Sequence, residues 1–342
     1  MRRSSHPSQQ FKVCQHHDRG IMPCSVLAHL LCFNNKEKTL LKAKQYVRDC
    51  KSTKFLVNRK NKEVDMKEFI QAPLPFQGQK RNFLKQFKEC LKEFKDKTTF
   101  IDLFGGSGLL AHTIKQERPD ARVIFNDYDW YVTRLENIET TNALIRELRE
   151  VCVGLKGRGK EAILGERRQK VIDIITKYEK QGYVDYITLS SSLLFSGKYA
   201  TNYKDMIKMN FYNKVKMSDY DATGYLQGVE VEHLDYKILF NLLRRLPNVC
   251  FILDPPYLST DCSSYKSSWR LKDYLDVLLT LQDTSYFYFT SNKTSIVELC
   301  QWLAMHPNLR NPLKDAKRRE VSVGVNKDAS YRDMMFYYNK KY

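Results

Sequence analysis

Two apolar runs, far apart in this chain, each stop abruptly at a turn. The first is Phe100-Ile101-Asp102-Leu103-Phe104, closed by Gly105-Gly106-Ser107-Gly108. The second is Phe251-Ile252-Leu253, closed by Asp254-Pro255-Pro256-Tyr257. Short, nearly continuous apolar runs are what strands buried on both faces require. Strands of that kind belong to parallel sheets, which need helical crossovers between them. Ligands bind such sheets outside the carboxyl ends of the strands, where these two turns fall.

The pattern from Met66 onward supplies the crossovers. Strands are predicted over 98–104, 122–126, 225–234, 249–253 and 286–290, with a terminal hairpin over 321–325 and 334–338. Helices are predicted over 82–94, 109–116, 131–153, 236–246 and from 293 to 303. The expected fold class is α/β, a Rossmann-like sheet with both faces covered.

Acids recur at the predicted strand ends: Asp102, Asp127, Asp235 and Asp254. One acid alone is an ordinary turn residue. Four at corresponding ends, with a glycine turn beside the first, mark a binding crevice. Glycines let the backbone approach a nucleotide-like ligand closely. Asp127 follows them by about 20 residues, the spacing of an acid that accepts hydrogen bonds from a ribose. Asp254-Pro255-Pro256-Tyr257 is the sharper signal. An adenine amino group is a poor nucleophile, because its lone pair is delocalised into the ring. A carboxylate and a carbonyl of the prolyl segment can accept its two N–H groups and stabilise the positive charge that develops. Tyr257 offers a face on which an extruded base stacks. Together the two motifs point to methyl transfer from S-adenosylmethionine to an amino group of a planar base, leaving S-adenosylhomocysteine.

Charge and cysteine content narrow the setting. The net charge is +18 over 342 residues, which favours a polyanionic partner. Half of that excess lies in residues 1–65, with 14 Lys/Arg against 5 Asp/Glu. This segment reads as a basic, flexible extension. Its Cys14, His16, His17, Cys24, His29 and Cys32 match no common zinc spacing, so no metal is expected. Nine cysteines without regular spacing imply reduced thiols and a cytoplasmic setting. No apolar run reaches the ~18 residues that span a bilayer. The apolar stretch from Ile21 to Phe33 is interrupted by Pro23 and His29 and lacks a cleavage site, so no signal peptide is expected.

These motifs, in this order, resemble the Dam-type DNA N6-adenine methyltransferases over roughly residues 72–340. Phe76-Gln77-Gly78-Gln79-Lys80 is similar to that family's N-terminal loop, in which an aromatic residue and a lysine contact the methyl donor. Here Phe stands for the family's Trp, and Gln79 for a glycine. Phe104, Gly105, Gly106 and Gly108 match its donor-binding turn, and Asp127 its ribose acid. Asp235-Tyr236 resembles the pair that holds the donor's adenine ring. Asp254, Pro255, Pro256 and Tyr257 match its catalytic motif. Thr290-Ser291-Asn292 and Tyr331-Arg332-Asp333 are similar to later segments of the family. The resemblance implies S-adenosylmethionine as cofactor, with Asp102 and Asp254 also contacting it, and double-stranded DNA as partner. A cognate restriction endonuclease is a further partner of such enzymes.

The spacing sets apart residues 141–230, too long for a simple crossover and so expected to be a mainly helical subdomain inserted into a catalytic domain of 66–140 and 231–342. The segment holds eight tyrosines. Lys156, Arg158, Arg167 and Arg168 are candidates for phosphate contact, Asn202 and Asn210 for base edges, and Lys198 for DNA contact in the same segment as those amides. Target recognition is the expected role. RNA or protein-glutamine methylation on the same sheet, and a non-catalytic DNA-binding relic, are the competing readings. Protein-glutamine enzymes more usually carry Asn-Pro-Pro-Tyr and lack such an insertion. The intact Lys80, glycines, Asp127 and Asp254 argue against a relic.

Overall fold

The computed structural model describes residues 67–195, 197–257, 269–306, 308–324 and 330–341. The basic extension and its cysteines and histidines therefore lie outside the described residues. A seven-stranded sheet forms the centre, in the order β5-β2-β1-β6-β7-β9-β8. Its strands are β1 (Thr99–Asp102), β2 (Arg122–Asn126), β5 (Glu230–Glu232), β6 (Val249–Leu253), β7 (Ser285–Ser291), β8 (Lys317–Gly324) and β9 (Ser330–Tyr338). β5, β2, β1, β6 and β7 run parallel, and the β8–β9 hairpin closes one edge antiparallel to β7. From β1 the chain moves outward to β2 and β5, then returns to the other side of β1 as β6. The order therefore reverses between β1 and β6, and a crevice opens at their carboxyl ends.

Both faces of the sheet are covered, as the continuous apolar runs require. Phe100, Phe125, Cys250, Ile252 and Phe287 point into one core. Ile101, Ile124, Phe251, Leu253 and Tyr286 point into the other. That alternation is the period-two rule of a pleated strand. The helices α1 (Leu84–Leu91) and α2 (Leu109–Glu117) fill the first side, with α1 extended by 3-10 turns at Arg81–Phe83 and Lys92–Phe94. The second side is filled by α8 (Tyr236–Leu243), α9 (Leu271–Leu281) and α10 (Ser295–Ala304).

Between β2 and β5 lie α3 (Tyr131–Glu136), α4 (Ile138–Val151), β3 (Ala162–Ile163), α5 (Gly165–Gln181), α6 (Tyr186–Leu193), α7 (Tyr203–Met206) and β4 (Phe211–Tyr212). β3 and β4 pair antiparallel as a separate two-stranded sheet. Leu144, Leu148, Val171, Ile175, Leu189, Leu193 and Phe211 form a third core that shares no fully buried residue with the other two.

Two expectations change. The helix predicted over 131–153 is broken at Asn137, whose side-chain amide bonds back to Thr133 O at 2.8 Å. The strand predicted over 225–234 shrinks to Glu230–Glu232. Gly224, Leu226 and Gly228 all have positive φ, so the chain turns there instead of extending. Tyr225 then anchors the turn by donating its hydroxyl to Ser107 O at 2.9 Å. Among the described residues, no helix is long and apolar enough to cross a membrane.

Candidate active site

The crevice between β1 and β6 deepens into a cavity of about 810 Å³. That is within the size range of small-molecule sites. Four separated stretches wall it: residues 76–82, the turn after β1, the start of α8, and Asp254-Pro255-Pro256-Tyr257. Trp269, Ser291, Lys293, Tyr331 and Asp333 close its far side.

The turn after β1 can be this tight only with glycine. A Cβ at Gly105 would sit 2.1 Å from two ring carbons of Phe125. Gly106 has φ +54°, and a Cβ there would meet the Phe76 ring at 3.0 Å. The Phe76 ring packs edge-on to Tyr131 at 5.7 Å between centroids. Gly108 does not reach the cavity. It starts α2 with φ +73° and faces Leu226.

Lys80 is the organising cation. It is 7 % exposed, and its ammonium pairs with Asp254 Oδ2 at 2.5 Å and donates to Gly78 O at 2.8 Å. It also lies 5.2 Å from the Tyr257 ring centroid. Burial raises the Asp254 carboxyl, and the Lys80 charge opposes that rise. Asp333 is pushed up to about 6 by burial, with Lys80 opposing and Asp254 adding. Asp102 is buried beside the cavity, 1 % exposed, with only the backbone N–H of Phe104 near enough to its carboxyl to favour the charged form. Burial, with Asp254 adding, pushes its carboxyl up to about 8. Three acids thus surround one ammonium, an environment that suits a cationic ligand.

Aromatic rings form the other wall. Phe104 and Tyr236 lie 4.7 Å apart, and Trp269 stacks on Tyr236 at 5.9 Å. Asp235 caps α8 through Lys237 N and lines the cavity beside Tyr236. Asp127 is placed differently from the expectation. It is fully buried and does not line the cavity. Its oxygens accept the backbone N–H groups of Tyr131 at 2.6 Å and Val132 at 2.8 Å, starting α3. The acid that β2 presents to the cavity is Asp129, next to Tyr128. Sequence reasoning missed Asp129, Trp269, Lys293 and the cavity-facing place of Asp333. The second acid of Asn126-Asp127-Tyr128-Asp129 was a signal for the first.

The candidates on the inserted segment lie away from the cavity and divide into two groups. Lys156, Arg158, Lys198 and Asn210 are exposed. Arg168 is committed internally, donating to Ile207 O at 2.6 Å with its guanidinium 5.3 Å from the Phe211 ring. Arg167 is exposed but donates to Val153 O at 3.0 Å. Asn202 caps α7 by accepting from Asp205 N at 3.0 Å. Among the described residues, no group of three metal-ligating side chains is present.

Comparison with known proteins agrees with this geometry. Residues 76–295 match the model of the D12 class N6 adenine-specific DNA methyltransferases. A Haemophilus influenzae protein named "Putative methyltransferase" is 36 % identical over 280 residues, covering 79 % of this chain and 93 % of its own length. The match takes in the glycine turn, Asp254-Pro255-Pro256-Tyr257 and the whole inserted segment. A methyltransferase with a mostly parallel central sheet, this chain belongs to the D12 class N6 adenine-specific DNA methyltransferase family.

Proposed function

We propose that the protein transfers a methyl group from S-adenosylmethionine to N6 of adenine in double-stranded DNA. The observation that carries this reading is the Lys80–Asp254 pair, set where the sheet order reverses and flanked by a glycine turn and a Pro-Pro-Tyr segment.

The residues present fit the donor. The glycine turn leaves a cradle, walled by Phe76, that a Cβ at 106 would fill. S-adenosylmethionine would supply an electrophilic methyl group on a sulphonium centre. Phe76, Gly105 and Gly106 shape its place, and Phe104, Tyr236 and Trp269 offer apolar faces to an adenine ring. Asp129 and Asp235 face the cavity as acceptors for ribose and ring N–H or O–H groups. Lys80 pairs with Asp254, opposing the effect of its burial and fixing its orientation. Asp254 and the backbone carbonyl of Pro255 then accept the two N–H groups of the target amine, stabilising the charge that forms on nitrogen. Tyr257 stacks on the extruded base, whose unstacking costs a few kcal/mol.

The inserted segment is the target-recognition unit in this reading. Its own core makes it a rigid platform, and Lys156, Arg158 and Lys198 stand free to meet phosphates. Asn210 is the remaining candidate for a base edge. Arg168, Arg167 and Asn202 are reassigned to holding the platform together.

Incubation with methyl-labelled S-adenosylmethionine tests the reading, with duplex DNA, RNA and protein as separate acceptors. Label should enter duplex DNA and be recovered as N6-methyladenine. Label entering RNA or protein instead would overturn the assignment of substrate. No transfer to any acceptor would overturn the activity.

A further inference from the structure

A buried guanidinium links the third core to the donor side of the molecule. Arg134, on α3, is 11 % exposed in its side chain, and its partner Asp185 is 1 % exposed. Arg134 Nε donates to Asp185 Oδ2 at 3.0 Å. Its Nη2 donates to Pro75 O at 2.8 Å and to Thr188 Oγ1 at 3.3 Å. Thr188 in turn donates its hydroxyl to Asp185 Oδ2 at 2.7 Å. Asp185 also starts α6 by accepting from Ile187 N and Thr188 N, each at 3.1 Å.

On the other side, the network reaches the cavity wall. The Arg134 guanidinium lies 5.1 Å from the Tyr131 ring centroid. The Tyr131 hydroxyl accepts from Leu74 N at 3.0 Å and donates to Leu74 O at 3.1 Å. The Phe76 ring packs on Tyr131. Residues 74–76 are therefore held by α3, and α3 is held by α6 of the inserted segment. The same α6 sends Leu189 and Leu193 into the third core, so its position follows that core as a whole. An arginine is needed for this work. Only its planar fork reaches a carboxylate, a hydroxyl and a backbone carbonyl at once, and a lysine ammonium on a flexible stem would not.

We propose that Arg134 is a positioning residue that couples engagement of DNA by the inserted segment to the fit of the methyl donor against Phe76. The role rests on the functional reading above. DNA that settles the third core also settles α6, and through Asp185 and Arg134 it fixes residues 74–76 against the donor. By linkage, the donor strengthens DNA binding by the same factor.

Calorimetry of S-adenosylhomocysteine, with and without sheared genomic duplex DNA, tests this coupling without turnover. In the wild type, DNA should tighten binding by about fivefold or more. In Arg134→Met the ratio should fall toward one, and Arg134→Lys should not restore it. Asp185→Asn, which keeps a side-chain oxygen to cap α6 and leaves the bond to Pro75 but removes the charge that pairs with Arg134, should lower the ratio as well. It serves as the deciding variant if Arg134→Met does not fold. A role in stability alone would lower the melting temperature and leave the ratio at its wild-type value, which would overturn the proposal. So would a ratio of one in the wild type. Wild-type protein that binds neither S-adenosylhomocysteine nor DNA would overturn the functional reading itself, and the coupling with it.

Discussion

Adjacent glycines in the turn after β1 should respond to the same substitution in different ways. In Gly105→Ala the new methyl group would lie 2.1 Å from two ring carbons of Phe125 and 3.0 Å from Asn126 O. Carbon atoms sit best at about 3.5–4.0 Å, so ring or turn must give way by roughly 1.5 Å. Phe125 has nowhere to go. It is fully buried in β2 and held in register between Asp102 of β1 and Val231 of β5. Overpacking of a dense core costs about 1–3 kcal/mol, and a site confined by two backbones belongs at the upper end. At roughly 1.4 °C per kcal/mol for a chain of 342 residues, the melting temperature should fall by about 4 °C. Gly105 has no positive φ, so the loss measures the clash and not backbone strain. Gly157→Ala is the control, with no positive φ and nothing within 4 Å of the new Cβ. It should stay within about 0.5 kcal/mol of the parent. Gly106→Ala pushes on Phe76 instead and should weaken donor binding beyond its stability cost. Urea titrations of the three variants, followed by donor calorimetry on those that fold, give the comparison. Equal midpoints for Gly105→Ala and Gly157→Ala would refute the packing of this turn on Phe125.

Asp254→Ala should lower turnover at least about 100-fold, or about 2.7 kcal/mol, by analogy with loss of one transition-state hydrogen bond. Steady-state kinetics retaining more than a few per cent of activity would contradict its role. Asp129→Ala should weaken donor affinity, measured by calorimetry. Asp127→Ala should act mainly on the melting temperature, since it removes a buried helix cap worth about 1 kcal/mol or more. Asp102 has its carboxyl raised from 3.8 to about 8 in the folded state. Between those values the folded protein holds a proton that the unfolded chain has released, so stability falls as pH rises through the window. The slope reaches about 1.4 kcal/mol per pH unit. Asp102→Asn should remove it, and urea titrations showing the same slope in both proteins would exclude a protonated Asp102.

The parallel strands were readable because burial on both faces writes a continuous apolar run, and β2 and β6 have the predicted bounds. The break at Asn137 was not, because the apolar spacing of α3 and α4 runs on across it. The residues before β5 alternate like a strand, yet the positive φ at Leu226, a non-glycine, turns them away from the sheet. Site residues followed the same division. Gly105, Gly106, Asp235, Tyr236 and Asp254 sit in motifs whose backbone places them at strand ends, and Lys80 in the loop that leads into α1. The choice between Asp127 and Asp129 depends on which carboxylate is consumed by the N–H groups of α3, and nothing in a sequence marks an acid that reaches a helix start from several residues upstream. Trp269 reaches the cavity only through the packing of Phe104 and Tyr236, a contact among three distant segments.

The position of the insertion has a physical reason. β2 and β5 are parallel neighbours at one edge of the sheet, so the chain leaves the carboxyl end of β2 and crosses back to the amino end of β5. Whatever lies between those two points does not disturb the strand ends, and lengthening a loop costs only about 0.6 kcal/mol per doubling. A segment that buries its own apolar residues, as Leu148, Ile175 and Leu193 do, offsets that cost from its own core. An insertion between β1 and β2 would instead cross the glycine turn, and one between β6 and β7 would crowd Trp269 and the start of α9. The edge between β2 and β5 is therefore where an inserted segment can grow without moving the strand ends that line the cavity. What remains to be secured is its orientation. Arg134 and Asp185 provide a buried, directional contact at the point where α6 meets the donor wall.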